Sequence, residues 1–126
     1  MAVAFASLLA AACKGITTPS NNQTRQFSGT LDPRGSKFHT FDVSKTGEFT
    51  AKLTTWAPNT QILAGMAWTL ASNDTTCTTG LQQNNFVILN AQAIFGQIGS
   101  GKYCVIIFDP GTLTATQNYT ITVSYP

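Results

Sequence analysis

The residues able to do chemistry are few in this 126-residue chain, and their spacing limits what they can do. His39 is the one histidine. A catalytic triad built on it requires a nucleophile and an orienting group close in space. Ser36 and Ser44 are its sequence neighbours, which says nothing about distance. His39 alternates with Phe41 and Val43 along a strand, so a structural imidazole is the expectation. A zinc site asks for several His or Cys ligands, more than one histidine and a paired set of cysteines can supply. The five acids, Asp32, Asp42, Glu48, Asp74 and Asp109, stand singly, so no carboxylate pair for glycoside cleavage is legible. Gly99-Ser100-Gly101-Lys102 has glycines and a lysine, but lacks the spacing and the following helix of a phosphate loop. The inventory predicts no enzyme, no cofactor, and no catalytic or metal-ligating residue.

The three cysteines carry more information. Cys77 follows one expected strand and Cys104 lies inside another. In an exported chain they pair, closing a loop of about 28 residues and adding roughly 3.5 kcal/mol of stability by loop entropy. Two buried free thiols are the rival reading. Cys13 is left over and ends the apolar run of residues 2–12. That run falls short of the about 20 residues a membrane helix needs, and fits the hydrophobic region of a secretory signal. Leu9-Ala10-Ala11-Ala12-Cys13 resembles a bacterial lipobox, in which the cysteine is lipidated. Ala10 stands where Leu is usual, and no basic residue precedes the run. A signal cleaved after Ala10-Ala11-Ala12 and a retained segment packing against a partner remain open. Residues 14–26 are polar and turn-rich, as a flexible tether would be. The expected location is extracellular or in a bacterial cell envelope, with a lipid anchor the only membrane attachment.

Composition fits export. Charged residues are 10% of the chain, well under the roughly 25% usual for soluble domains. Twenty threonines take their place, and β-branched Thr suits the exposed face of a strand. The net charge of +2 comes from scattered residues, Lys14, Arg25, Arg34, Lys37, Lys45, Lys52 and Lys102. Nucleic-acid binding needs a clustered basic surface and is excluded.

Whatever positions these residues must be built from strands. Residues 23–31 form a first strand, stopped by Asp32-Pro33-Arg34-Gly35. Residues 37–43 and 48–56 alternate cleanly, with Phe49, Ala51 and Leu53 facing a core. Residues 60–70 are apolar on both faces and read as a central strand; 71–80 read as a Thr-rich loop or short edge strand carrying Cys77. Residues 85–98 hold a buried strand and a turn or bulge at Asn90-Ala91-Gln92. Residues 102–109 are apolar through Tyr103–Phe108, and 118–125 alternate Tyr119, Ile121, Val123 and Tyr125 against polar residues. No helical period persists beyond the leader. Seven or eight strands at this spacing predict an all-β, antiparallel jelly-roll-like sandwich over residues 27–126.

Phe27-Ser28-Gly29-Thr30-Leu31, Asp32-Pro33-Arg34-Gly35, Phe38-His39-Thr40-Phe41-Asp42-Val43 and Thr46-Gly47-Glu48-Phe49 occur in that order. Gly101-Lys102-Tyr103-Cys104 and Asn118-Tyr119-Thr120-Ile121 follow near the end. The whole resembles the bacterial pre-peptidase C-terminal (PPC) domain. That resemblance implies a jelly-roll-like sandwich in an exported protein. Some relatives bind calcium through clustered acids, but Ca²⁺ takes six to eight oxygens and the acids here are single, so no binding residue is carried over.

The expected function is a non-catalytic module working by protein–protein or surface interaction. A carbohydrate-binding module is an alternative, with Trp56, at a strand end beside Pro58, as the exposed aromatic for stacking on a sugar. A third reading is a structural subunit that self-assembles into an extracellular filament through an edge strand or the apolar leader.

Overall fold

The computed structural model describes residues 18–126; Cys13, the apolar run 2–12 and residues 14–17 lie outside the described residues. Among the described residues the chain forms a 3-10 turn, Pro19–Asn21, and eight strands. These are β1 Gln23–Leu31, β2 Ser36–Val43, β3 Gly47–Ala57, β4 Ala64–Asn73, β5 Thr76–Val87, β6 Gln92–Ile98, β7 Gly101–Phe108 and β8 Gln117–Tyr125. They pair antiparallel in two four-stranded sheets, β1-β8-β3-β6 (sheet I) and β2-β7-β4-β5 (sheet II). Only β4 and β5 are both consecutive and in one sheet, so the chain winds back and forth between layers. The architecture is an antiparallel jelly-roll-like β-sandwich, as the patterning predicts.

The alternation that marks each strand is what fills the core. Sheet I turns Phe49, Ala51, Leu53, Ile121 and Val123 inward; sheet II turns Phe41, Met66, Val105 and Ile107 to meet them. Each buried large apolar side chain contributes about 1.5–3 kcal/mol. The outer face of sheet I is a ladder of hydroxyls, Ser28 against Thr120 at 2.9 Å and Thr54 against Thr122 at 2.8 Å. This is where the threonine-rich, charge-poor composition goes.

Two boundaries differ from the sequence expectation, and one segment takes the second of its two readings. β1 starts at Gln23 as expected, so residues 23–26, which the composition also places in the tether, are strand, because β8 offers β1 a full-length partner from Tyr125 to Gln117. Just before it, the Asn22 amide donates to Glu48 O at 2.8 Å and to Ser124 Oγ at 3.1 Å. β4 starts at Ala64 rather than at residue 60. The residues before it form a loop held by Gln117, which grips the Asn59 backbone from both sides at 2.8 and 3.0 Å. Residues 71–80 take the edge-strand reading rather than the loop one, within a long β4–β5 hairpin whose turn is closed by Asn73 Oδ1 accepting from the Thr75 N–H at 2.9 Å.

Candidate functional site

Cys77 and Cys104 form the expected disulfide. It joins β5 to β7, two strands that β4 separates in the sheet order, so the bridge ties the β4–β5 hairpin down against the outer face of sheet II. The hairpin tip reaches further. Lys102 Nζ on β7 lies 2.9 Å from Asp42 Oδ1 on β2 and 2.5 Å from Asp74 Oδ1 at the tip. Thr40 Oγ1 donates to the Asp74 carbonyl at 3.4 Å. Two acids that stand far apart in sequence are thus gathered around one lysine. Its hydrogen bond holds the Asp74 carboxyl below the usual carboxylate range. The same bond, with that to Asp42, raises the Lys102 ammonium. Lys102, the lysine of the phosphate-loop-like string, is committed to these two carboxylates.

The pinned tip covers one half of the face. The other half is apolar. Phe38 pairs with Ile106, and Ile106 with Ala67, giving one row across β2, β7 and β4. In the next row Phe108 lies opposite Gly65, its ring occupying the space a Cβ would need, 2.3 Å from the nearest ring carbon. Phe38 is 44% exposed. Opposite the tip, the floor ends at a turn ordered by Asp109. Burial pulls this carboxyl upward, yet backbone N–H bonds from Arg34, Leu113, Gly111 and Thr112 outweigh it and hold the pKa at about 2. Their lengths run from 2.8 to 3.1 Å.

His39 is on the inward side of β2, half-buried. Its Nε2 is 2.7 Å from Tyr119 Oη, and its ring stacks on Phe27 at 4.9 Å between centroids. The imidazole is committed to closing the sandwich between β1, β2 and β8.

Trp56 corrects the sequence expectation. Far from being exposed, it is 1% accessible, and its indole N–H donates to the Ile62 carbonyl at 2.8 Å. A bulge between Leu53 and Thr55 shifts the alternation, so the residue at the strand end turns into the core and the 58–63 loop folds over it. It has no free face for a sugar. The residues the sequence did not single out are Phe38, Ile106 and Phe108. β7 is apolar on both sides, which reads as burial of both, whereas the structure leaves Ile106 and Phe108 on its outer side partly exposed. Among the described residues no group of three or more His, Cys, Asp or Glu could hold a metal ion, and no helix is long and apolar enough to cross a membrane.

No protein-family model and no curated protein matches the sequence. Among solved structures, the chain is similar to the Yersinia pseudotuberculosis-derived mitogen, with a TM-score of 0.59 and 13% identity over 83% of this chain and 87% of that one. It is also similar to an Aeromonas hydrophila periplasmic inhibitor of g-type lysozyme, with a TM-score of 0.52 and 12% identity over 87% of this chain and 92% of that one. At these identities the likeness is one of fold.

Proposed function

We propose that the chain is a non-catalytic, extracytoplasmic interaction module that docks another protein on the outer face of sheet II. The observation that carries this reading is the apolar floor of Phe38, Ile106, Ala67 and Phe108 beside the pinned hairpin. A sheet face exposed to water usually alternates apolar-in and polar-out; β1, β3 and β8 of sheet I follow that rule, whereas β2, β7 and β4 of sheet II carry a continuous apolar row on the outside. Apolar patches rimmed by polar groups mark interaction sites. The rim also speaks to the partner: Asp42 and Asp74 enclose a single lysine, leaving one net negative charge with both carboxylates largely exposed. The occupant is therefore a protein presenting an apolar side chain flanked by a cation. The disulfide supports an oxidising compartment. The similar fold of a periplasmic lysozyme inhibitor supports a sandwich of this kind acting on another protein. Kinship with PPC domains belongs to the same proposal and is supported by the jelly-roll strand order. Cys13 as a lipid anchor belongs to it as well, and mass spectrometry of the mature N-terminus tests it.

A photo-crosslinking amino acid placed at position 38, compared with one at position 120 on sheet I, tests the docking face in cells that produce the protein. One defined protein adduct from position 38 and none from 120 is the expected outcome. Equal adducts from both positions, or none from 38, would sink the reading.

Self-assembly is a second reading with its own support. Residues 75–101 contain no charged side chain, and they include β5, the edge of sheet II. Phe86 there is 75% exposed. Edges are normally blunted by charge or proline, and a second copy could pair with this one antiparallel without repulsion. Sedimentation of wild type against Gln83→Lys discriminates: a concentration-dependent dimer that the lysine abolishes supports the reading, and a monomer at all concentrations removes it.

A further inference from the structure

A second surface, on the other sheet, has the makings of a small-molecule site. β3 and β6 enclose a depression of about 460 Å³ on the outer side of sheet I, lined by Glu48, Thr50, Gln92, Phe95, Gln97 and the backbone around Gly96. This volume falls within the range of small-ligand pockets, about 300–1,000 Å³. The concavity has a local cause. Ala51 pairs with Ile94 while Lys52 pairs with Gln92, so Ala93 is an extra residue in β6. Ala93 and Ile94 both bury themselves, which bends the strand and swings Gln92 to the outside.

We infer that this depression binds a neutral saccharide. Phe95 offers an aromatic face, 56% exposed, against which the C–H side of a pyranose can stack. The ring stands on a fixed backbone: Phe95 pairs with Thr50, and its N–H donates to Gln82 Oε1 at 3.0 Å. Around it the polar groups are of the kinds sugar hydroxyls need. The Glu48 carboxylate accepts, the Gln92 and Gln97 amides both donate and accept, and the Thr50 hydroxyl does either. Among the described residues none of these four side chains hydrogen-bonds to another part of the chain, so all remain available to a ligand. The lining holds one carboxylate and no cation, which disfavours acidic sugars and phosphates. An aromatic surface ringed by unpaired amides is poorly matched to an apolar ligand. The aromatic contact that the sequence placed at Trp56 is thus supplied by Phe95 instead.

The site is independent of the docking face on sheet II, so the two fail separately. The test is a titration of the isotope-labelled protein, followed by amide NMR, with glucose, galactose, N-acetylglucosamine and their short oligomers, and with glucuronic acid as the anionic control. The expected result is shifts confined to residues 47–50 and 92–97 with at least one neutral sugar. Phe95→Ala and Gln97→Ala should each weaken that binding about tenfold or more, while Phe38→Asp leaves it unchanged. Unchanged melting of each variant confirms that the fold is intact. No shifts with any neutral sugar, shifts centred elsewhere, equal binding of glucuronic acid, or indifference to Phe95→Ala would each overturn the inference.

Discussion

His39 Nε2 sits 2.7 Å from Tyr119 Oη and so joins β2 of sheet II to β8 of sheet I. Burial, and then the charge of Arg25, hold the imidazole below its ordinary value of 6.5. Arg25 is close because its guanidinium lies 4.8 Å from the ring centre of Phe27, which stacks on His39. A histidine with a depressed folded pKa is neutral in the native state and gains a proton more readily when unfolded. Its contribution is therefore fully present above about pH 6.5 and is lost as pH falls through the folded value. Melting temperature measured from pH 7.5 to 5 should stay level and then decline. In His39→Phe the decline over that window should be smaller, and an unchanged profile would show that another group is responsible.

Asp109 behaves the same way at lower pH. With a folded pKa of about 2, set by four backbone N–H donors, its contribution is present above the ordinary carboxylate value and lost as pH drops from there through 2. Asp109→Ala strands those donors at a partly solvated turn and should cost about 2 kcal/mol at neutral pH. Urea unfolding at pH 7 and at pH 2.5 checks both statements: the gap between wild type and variant should narrow in acid.

Removing the Cys77–Cys104 bridge by double substitution to Ala should cost about 3–4 kcal/mol, from the loop it closes. The loss has a location. Residues 72–77 are tied to sheet II by the bridge and by Asp74, so hydrogen exchange should quicken there first, before the core strands.

Trp56 is a structural residue in this account. Trp56→Phe removes the hydrogen bond to Ile62 and some volume, costing about 1–2 kcal/mol, and Trp56→Ala about 3–5 kcal/mol. Thermal unfolding measures the cost. A Trp56→Phe variant that stays folded should bind saccharide as wild type does.

Much of the sandwich is legible in the chain because its alternation is clean. β1 runs from Gln23 to Leu31 as the pattern predicts, and the start of β2 and the ends of β7 and β8 move by a residue at most. The regions that misled share a cause. Before Ala64 and at Trp56, bulges and the grip of Gln117 on Asn59 override the local pattern; these contacts span 58 residues and leave no local trace. The β4–β5 hairpin was obscured by threonines, which read equally as loop or exposed strand. The apolar half of the outer side of sheet II is hidden for a different reason. An all-apolar strand such as β7 gives no sign of which side is covered, and the uncovered half depends on where the disulfide folds the hairpin. Phe95 is one apolar residue among many in sequence, and only the bulge at Ala93 turns the strand that carries it into the wall of a depression.

The proposed seat of the partner is the apolar half of the outer face of sheet II. The most direct measurement is the affinity between the purified protein and the partner crosslinked at position 38, for wild type, Phe38→Asp, Ile106→Asp and Thr120→Asp. Losses of tenfold or more for the first two substitutions, with Thr120→Asp unaffected and all variants melting normally, are predicted. Equal affinity for Phe38→Asp and wild type would contradict it.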